Sequence, residues 1–190
     1  MKKLLLFIVL LTGVLFRAQD TIEQISAKIN QDPQNAELYF QRGELYFSDA
    51  NYDNAIIDYT KAIEINPNFG EAFFARGDCY YNQSNYDDAL KDFFKTIVIN
   101  PNHEFALNMI GVVYFSKENY NDAITYFNKA IAINNTNGLY YKNLGNSYRN
   151  LKNYNKALES YNTAIQSDTE DTEAVKNRAE LYQYYLENRD

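Results

Sequence analysis

The chain has 190 residues, of which 25 are acidic and 18 basic, so its formal charge is −7, and 46% of its residues are hydrophobic. This apolar content is enough for a folded core and argues against a disordered chain. The acidic balance argues against nucleic acid and anionic lipid as partners, because phosphate groups are bound by clustered lysine and arginine.

The first eighteen residues differ in composition from the rest of the chain. Two lysines follow the first methionine, and residues 4–16 carry no charge. A helix of that length, at about 1.5 Å per residue, spans roughly 20 Å and is short of the ~30 Å core of a bilayer. Residues 1–18 are therefore interpreted as a signal peptide cleaved after Ala18, which predicts a periplasmic or secreted protein. Because Phe16 is large for a cleavage site, an uncleaved tether to the inner membrane is the alternative.

Cleavage would make the chain more acidic. Removal of Lys2, Lys3 and Arg17 leaves 15 basic against 25 acidic residues, a formal charge of −10. We expect no stable membrane insertion of the mature protein and expect partners that are uncharged or basic. The single cysteine, Cys79, cannot form a disulfide within the chain and is interpreted as a small packed thiol rather than a reactive one.

Residues 19–35 have the pattern of half a repeat. Ile22, Ile25 and Ile29 are spaced as on one face of a helix, and Asp32-Pro33 ends the segment. We expect this helix to cover the apolar side of the unit that follows.

A unit of 34 residues then occurs four times in one register, at 36–69, 70–103, 104–137 and 138–171, called repeats 1 to 4. Each repeat has glycine at its eighth position, tyrosine at its eleventh, alanine at its twentieth and an aromatic residue at its twenty-fourth. Self-similarity at a fixed period is typical of a solenoid, in which each unit buries its apolar face on its neighbours.

Each repeat is predicted to form two antiparallel helices, A and B. The helices are expected at 36–48, 70–82, 104–116 and 138–150 for A, and at 52–65, 86–99, 120–133 and 154–167 for B. Glycine and alanine are expected where the two helices cross most closely, and the asparagine before each helix B is expected to cap it. 

Residues 172–190 continue the helical pattern and are predicted to cap the open end of the stack, either as a solvating helix or as the first half of a degenerate fifth repeat. The side chains expected to face repeat 4 are Ala174, Val175, Ala179, Leu181 and Tyr182.

The pattern resembles the tetratricopeptide repeat. Repeat 1 matches that family at Tyr39, Gly43, Tyr46, Ala55, Tyr59, Ala62 and Pro67. The later repeats depart at few positions, with Thr96 in place of the second alanine and with Asn135 and Thr169 in place of the proline. The resemblance implies an all-α fold, a right-handed α-solenoid of stacked helix-turn-helix repeats.

The resemblance also implies where a partner binds. In this family six positions of each helix A, the second, fifth, sixth, ninth, twelfth and thirteenth, line a concave groove. The candidate protein-binding residues at these positions are Phe40, Phe47, Phe74, Asp78, Tyr81, Phe105, Asn108, Met109, Phe115, Asn143, Asn146 and Arg149. The groove is expected to be aromatic and acidic at its start and amide-rich with two cations at its end. Its phenylalanines are expected to be exposed, or else to pack on one another across adjacent A helices.

These features predict a non-enzymatic interaction module that binds a peptide or helix of another protein in the groove. A structural or self-assembling scaffold that uses the convex face or the stack ends is the alternative. His103 is interpreted as a solvated loop residue, and the acidic pairs Asp87-Asp88 and Glu170-Asp171 as helix-start residues. No catalytic residue, metal site or cofactor is predicted, because no metal-ligand cluster, phosphate loop or nucleophile motif is present in the sequence.

Overall fold

The computed structural model describes residues 22–168 and 170–187, with side chains described up to residue 184. The predicted signal peptide, residues 1–18, lies outside the described residues, as does Thr169. Residues 22–31 form helix α1. It is followed by α2 Ala36–Ser48, α3 Tyr52–Ile65, α4 Gly70–Asn82, α5 Tyr86–Ile99, α6 Glu104–Ser116, α7 Tyr120–Ile133, α8 Gly138–Asn150, α9 Tyr154–Ser167 and α10 Thr172–Glu187.

The helices A and B of all four repeats have the bounds that the 34-residue period predicts. No strand is present in the described part of the chain. The fold class is thus the predicted all-α solenoid of helix-turn-helix repeats. Two compact units can be distinguished, Met1–Asn85 and Tyr86–Asp190, here unit 1 and unit 2. In unit 1, α3 packs between α2 and α4, and in unit 2 each helix from α5 to α10 packs on the next.

The glycine at the eighth position lies directly on the aromatic ring of helix B. A Cβ atom placed on Gly111 would lie 2.6 Å from a ring carbon of Phe127, a separation that real Cβ atoms do not reach. The same pairing occurs between Gly43 and Tyr59 and between Gly145 and Tyr161. These rings are 0–1% exposed, so they have no room to move away. The predicted steric reason for glycine at the crossing is confirmed.

The turn from helix A to helix B repeats its backbone conformation. The residue before each capping asparagine has a φ between 55 and 60°: Ala50, Ser84, Glu118 and Lys152. The side chain of Asn51 accepts a hydrogen bond from the amide of Asn54, as predicted. Asn119 forms no such bond, and its Nδ2 donates to the Asp122 carboxylate at 2.6 Å. The predicted cap is therefore wrong for Asn119.

A buried ion pair joins the first three helices of unit 1. Arg42 on α2 donates from Nε and Nη2 to the two carboxylate oxygens of Asp58 on α3, both at 2.7 Å. Its Nη1 donates to Ser26 Oγ on α1 at 2.9 Å. The Asp58 side chain is only 3% exposed. Helix α1 also buries Ile25 and Ile29, two of the three isoleucines predicted to form its apolar face.

The same two repeat positions hold an uncharged pair in unit 2. Leu144 and Ser160, both 7% exposed, lie 102 residues after Arg42 and Asp58, which is three repeat lengths. The Ser160 hydroxyl donates to the Lys156 carbonyl within its own helix. The same two repeat positions therefore hold an ion pair in repeat 1 and two buried uncharged residues in repeat 4.

Helix α10 packs through a different face from the one predicted. Ala174, Asn177 and Leu181 are at most 8% exposed, whereas Val175 and Tyr182 are 39% and 48% exposed. Ala179 is also exposed, so the prediction is wrong for Val175, Ala179 and Tyr182. The three exposed residues are at the fourth, eighth and eleventh positions of a fifth helix A. In the full repeats, helix B of the same repeat covers these positions. This register favours the degenerate fifth repeat among the two predicted alternatives.

Candidate protein-binding surface

In unit 1 the predicted groove residues lie on α2 and α4, and their rings are half-buried. The Phe40 ring lies 5.6 Å from the Tyr59 ring and 5.0 Å from that of Phe69, centroid to centroid. Phe47, Phe74 and Tyr81 are half-buried as well. The expectation of exposed phenylalanines is wrong for Phe40, whose ring packs on Tyr59 and Phe69, and for Phe74, which is half-buried.

Unit 1 has a concentration of acidic side chains at its groove positions. The twelve groove positions of α2 and α4 hold four acidic residues and no basic one; the acidic residues are Glu37, Glu44, Glu71 and Asp78. We call these four residues, with the rings of Phe40, Phe47, Phe74 and Tyr81, the acidic face. The acidic and aromatic start of the groove stays a prediction, because it rests on the composition of these positions alone.

The two acids at the ninth positions, Glu44 and Asp78, differ in their partners. Glu44 accepts a hydrogen bond from the hydroxyl of Tyr59. Within residues 22–168 and 170–187, the Asp78 carboxylate has no hydrogen bond or ion pair. Burial raises the pKa of Asp78, and the charge of Glu44 raises it further. The negative charge of Asp78 is therefore not compensated by a partner in the described residues.

The substitution Asp78→Asn tests this uncompensated charge. A raised pKa in the folded state means that folded Asp78 binds its proton more tightly than unfolded Asp78, so stability falls as pH rises above the ordinary value of about 3.9. Asparagine stays neutral, and we expect it to raise the melting temperature by a few degrees at about pH 7 and to change it little at about pH 3. Thermal melts followed by circular dichroism measure both. A loss of stability at about pH 7 would contradict the absence of a partner.

Cys79 is fully buried beside this charge. Burial, with the charges of Asp78 and Glu44, raises its pKa to about 12. Because the thiolate is the reactive form, we expect no reaction with Ellman's reagent in the folded protein and complete reaction in denaturant. The packed, unreactive interpretation of this thiol predicts that result, and rapid modification of the folded protein would contradict it.

In unit 2 the groove amides bond to one another. Asn108 on α6 is 5% exposed, and its Oδ1 accepts from Asn143 Nδ2 on α8 at 3.0 Å. Asn146 Oδ1 accepts from the hydroxyl of Tyr161 at 2.7 Å and from Asn177 Nδ2 on α10 at 3.1 Å. Contact of Asn108 with a ligand is therefore blocked by burial. The role of the other two amides in binding stays a prediction.

Sequence reasoning overlooked Asn177. It lies 34 residues after Asn143, at the sixth position of the half-repeat formed by α10. A strict extension of the period into residues 172–187 would have placed it among the groove positions.

A small cavity opens between the A helices of unit 2. Its volume is about 60 Å³, and it is lined by Val112, Phe115, Phe127, Asn143 and Asn146. Phe127 forms the floor from α7, and the other four residues are at groove positions of α6 and α8. An apolar floor with amides at the edge suits a small apolar side chain on a hydrogen-bonding backbone. Val112 is not among the candidate binding residues, although the ninth position of each repeat is one of the six groove positions.

Apolar side chains at the second position of repeats 3 and 4 are exposed. Phe105 is 54% and Leu139 is 44% exposed, so Phe105 fits the expectation of an exposed groove phenylalanine. Phe115 does not fit it, because its half-buried ring lies 5.4 Å from that of Tyr120. Met109 is half-buried.

The two cations expected in unit 2 are paired with acids of the C-terminal segment. Lys142 Nζ lies 3.1 Å from Asp171 and 2.9 Å from Glu173, and Lys142 is 14% exposed. Arg149 Nη1 lies 3.5 Å from Glu180. The positive charge of these positions is thus largely neutralised within the unit.

His103 is not the solvated loop residue that the sequence suggested. It is half-buried, and its Nδ1 accepts a hydrogen bond from the amide of Ala106 at 3.1 Å, so it caps α6. The acidic residues at helix starts are placed as predicted, since Asp87 and Asp88 lie in the first turn of α5, and Asp171 accepts from the amides of Glu173 and Ala174.

Two further classes of site are absent from the described residues. No group of three or more histidine, cysteine or acidic side chains there is arranged to hold a metal ion. None of the described helices has the length and apolar content needed to cross a membrane.

A family model described as tetratricopeptide repeat matches residues 36–69, 70–103, 105–137 and 139–168. Among solved structures, the chain is similar to a tetratricopeptide repeat protein from Parabacteroides merdae, with 22% identity and a TM-score of 0.78 over 93% of this chain and 69% of that chain. The chain is also similar to MamA, with 19% identity and a TM-score of 0.77 over 85% of this chain and 94% of that chain. For YrrB, a TPR protein with an unusual peptide-binding site, the identity is 22% and the TM-score is 0.74, over 89% of this chain and 87% of that chain. A search of curated proteins found no match.

Proposed function

Because the chain belongs to the tetratricopeptide repeat family, we propose that it is an exported, non-enzymatic module that binds an extended segment of another protein in its concave groove. Proteins of this family mediate protein–protein interaction, and YrrB is described with a peptide-binding site. Export follows from the apolar segment at residues 4–16 and is tested by N-terminal sequencing of the mature protein, which should begin at Gln19.

The cavity lined by Val112, Phe115, Asn143 and Asn146 supports the proposal most directly. It combines an apolar floor with amide edges, and these four residues are at positions to which the family resemblance assigns ligand binding. Asn143 Oδ1 and Asn146 Nδ2 have no hydrogen bond within the described residues, so each can bond a ligand backbone. The partner is expected to place a small apolar side chain in the cavity and its backbone against these amides.

The substitution Val112→Glu tests binding at the cavity. Repeat 1 carries Glu44 at the same ninth position, so the fold accommodates this side chain there. We expect Val112→Glu to abolish capture of a partner from cell-envelope extract by the mature chain, because it fills the cavity and adds a charge. The matched control is Thr125→Glu, at an exposed position of helix α7. Capture of the same partner by both variants would contradict the proposal, provided that circular dichroism shows both to be folded.

The exposed residues of α10 favour a second function, a self-associating scaffold. Val175, Tyr182 and Tyr184 are 39–48% exposed and lie on a single helix. Burial of such side chains is a common driving force for association. Light scattering discriminates the two functions, because a scaffold would show more than one chain per particle and would lose that state on Tyr182→Lys.

A further inference from the structure

We propose that the acidic face of unit 1 binds a positively charged, lysine- or arginine-containing segment of the protein partner. This inference rests on the proposed function, because it names the chemistry of the segment that the groove accepts. The inference goes beyond the proposed function because it assigns a specificity for cations to the face formed by α2 and α4. The cavity of unit 2, in contrast, is uncharged.

The first support is the one-sided charge of this face. Glu37, Glu44, Glu71 and Asp78 are its charged residues, and its twelve groove positions hold no cation. The arginines of α2 and α4 lie at the seventh position, outside the groove positions. Arg42 is bonded to Asp58, and Arg76 Nη1 donates to Thr60 Oγ1 at 3.0 Å. The acidic face is therefore not neutralised by its own helices.

The second support is the effect of these acids on the groups around them. Burial is the main cause of the raised pKa values of Asp78, Cys79 and Tyr59, but the charge of Glu44 adds to all three shifts. Glu44, which accepts a hydrogen bond from Tyr59, thus places a negative potential on the cluster that contains Tyr59 and Cys79. A ligand cation would offset this potential, and the neighbouring rings of Phe47 and Phe74 would contact the aliphatic part of its side chain.

The third support is the contrast with unit 2. At the ninth position, where unit 1 has Glu44 and Asp78, unit 2 has Val112 and Asn146. The acids near its groove positions, among them Asp171 and Glu173, are paired with Lys142. Acidic groove side chains that lack a basic partner are therefore a feature of the acidic face of unit 1 and not of every repeat.

Binding of three labelled peptides, measured by fluorescence anisotropy, tests the inference. The peptides share a sequence of leucine and serine and differ only in having lysine, glutamine or glutamate at the same positions. We expect the full mature chain to bind the lysine peptide roughly tenfold or more tightly than the glutamine peptide, with the glutamate peptide weakest. Added salt should reduce this preference.

The isosteric double variant Glu44→Gln, Asp78→Asn should remove the preference for lysine. Glutamine at position 44 still accepts the bond from Tyr59. The matched control is the double variant Glu64→Gln, Glu159→Gln, which also removes two negative charges, but from exposed positions of α3 and α9. This control should keep the preference for the lysine peptide. Equal loss in both double variants, or no preference in the unmodified chain, would overturn the inference.

The outcome is distinguishable from failure of the proposed function. If the glutamine peptide binds, Val112→Glu abolishes that binding and lysine gives no advantage, groove binding stands and the acidic-face inference is wrong. If Val112→Glu has no effect on any peptide while the lysine preference depends on Glu44 and Asp78, the cavity is wrong and the acidic-face inference stands.

Discussion

Replacement of Arg42 by alanine is expected to reduce the free energy of unfolding by about 3–5 kcal/mol, the range for removal of one partner from a buried ion pair. The variant would leave the Asp58 carboxylate, 3% exposed, without its two hydrogen bonds of 2.7 Å. It would also remove the link to Ser26 on α1. Since folded domains are stable by about 5–15 kcal/mol, this loss is a large share of the total. Urea denaturation followed by circular dichroism measures it.

The chain itself provides the control for this prediction. The double variant Arg42→Leu, Asp58→Ser introduces the pair that repeat 4 has at Leu144 and Ser160. We expect it to recover most of the stability lost in Arg42→Ala, because no charge is then left buried. If Arg42→Ala cost no more than ~1 kcal/mol, the pair would behave as a solvated surface pair, and its assigned role in joining α1, α2 and α3 would be wrong.

Gly111→Ala is expected to destabilise the protein by about 1–3 kcal/mol through overpacking. Helix propensity alone predicts the opposite sign, because alanine is favoured over glycine by roughly 1 kcal/mol inside a helix. The new Cβ would lie 2.6 Å from the ring of Phe127, which is 1% exposed. Thermal and urea unfolding of the variant show directly whether its free energy of unfolding is lower or higher than that of the unmodified chain.

Two variants separate packing from propensity at this position. Ala179→Gly, at an exposed interior position of α10, measures the effect of helix propensity alone and should cost about 1 kcal/mol. In a Phe127→Leu background the cost of Gly111→Ala should decrease, because the ring that it meets is gone. A stabilising Gly111→Ala in the unmodified chain would show that the helices separate freely, which contradicts the close crossing.

The sequence predicted the helices closely because the 34-residue period supplies four observations of each boundary. The glycine positions were also predictable, since Gly43, Gly111 and Gly145 recur together with the rings of Tyr59, Phe127 and Tyr161. These are properties of a single repeat, so they are visible in its own residues.

The surface was less predictable because it depends on neighbouring helices. The pairing of Asn108 with Asn143, and of Asn146 with Asn177, results from distances between A helices that the repeat pattern does not specify. The prediction that Val175 and Tyr182 face repeat 4 is wrong for a related reason. An apolar residue on a helix is buried only where another helix covers it. His103 was misread because a ring nitrogen can cap a helix when the local turn presents it.

The most direct test of groove binding is site-specific photo-crosslinking in cells that produce the protein. Benzoylphenylalanine in place of Phe115, which lines the cavity, is compared with the same residue in place of Thr125 on helix α7. We expect an adduct from position 115 that mass spectrometry maps to one short segment of one partner, with no such adduct from position 125. Adducts from position 125 alone, or adducts from position 115 spread over many unrelated proteins, would contradict binding in the groove.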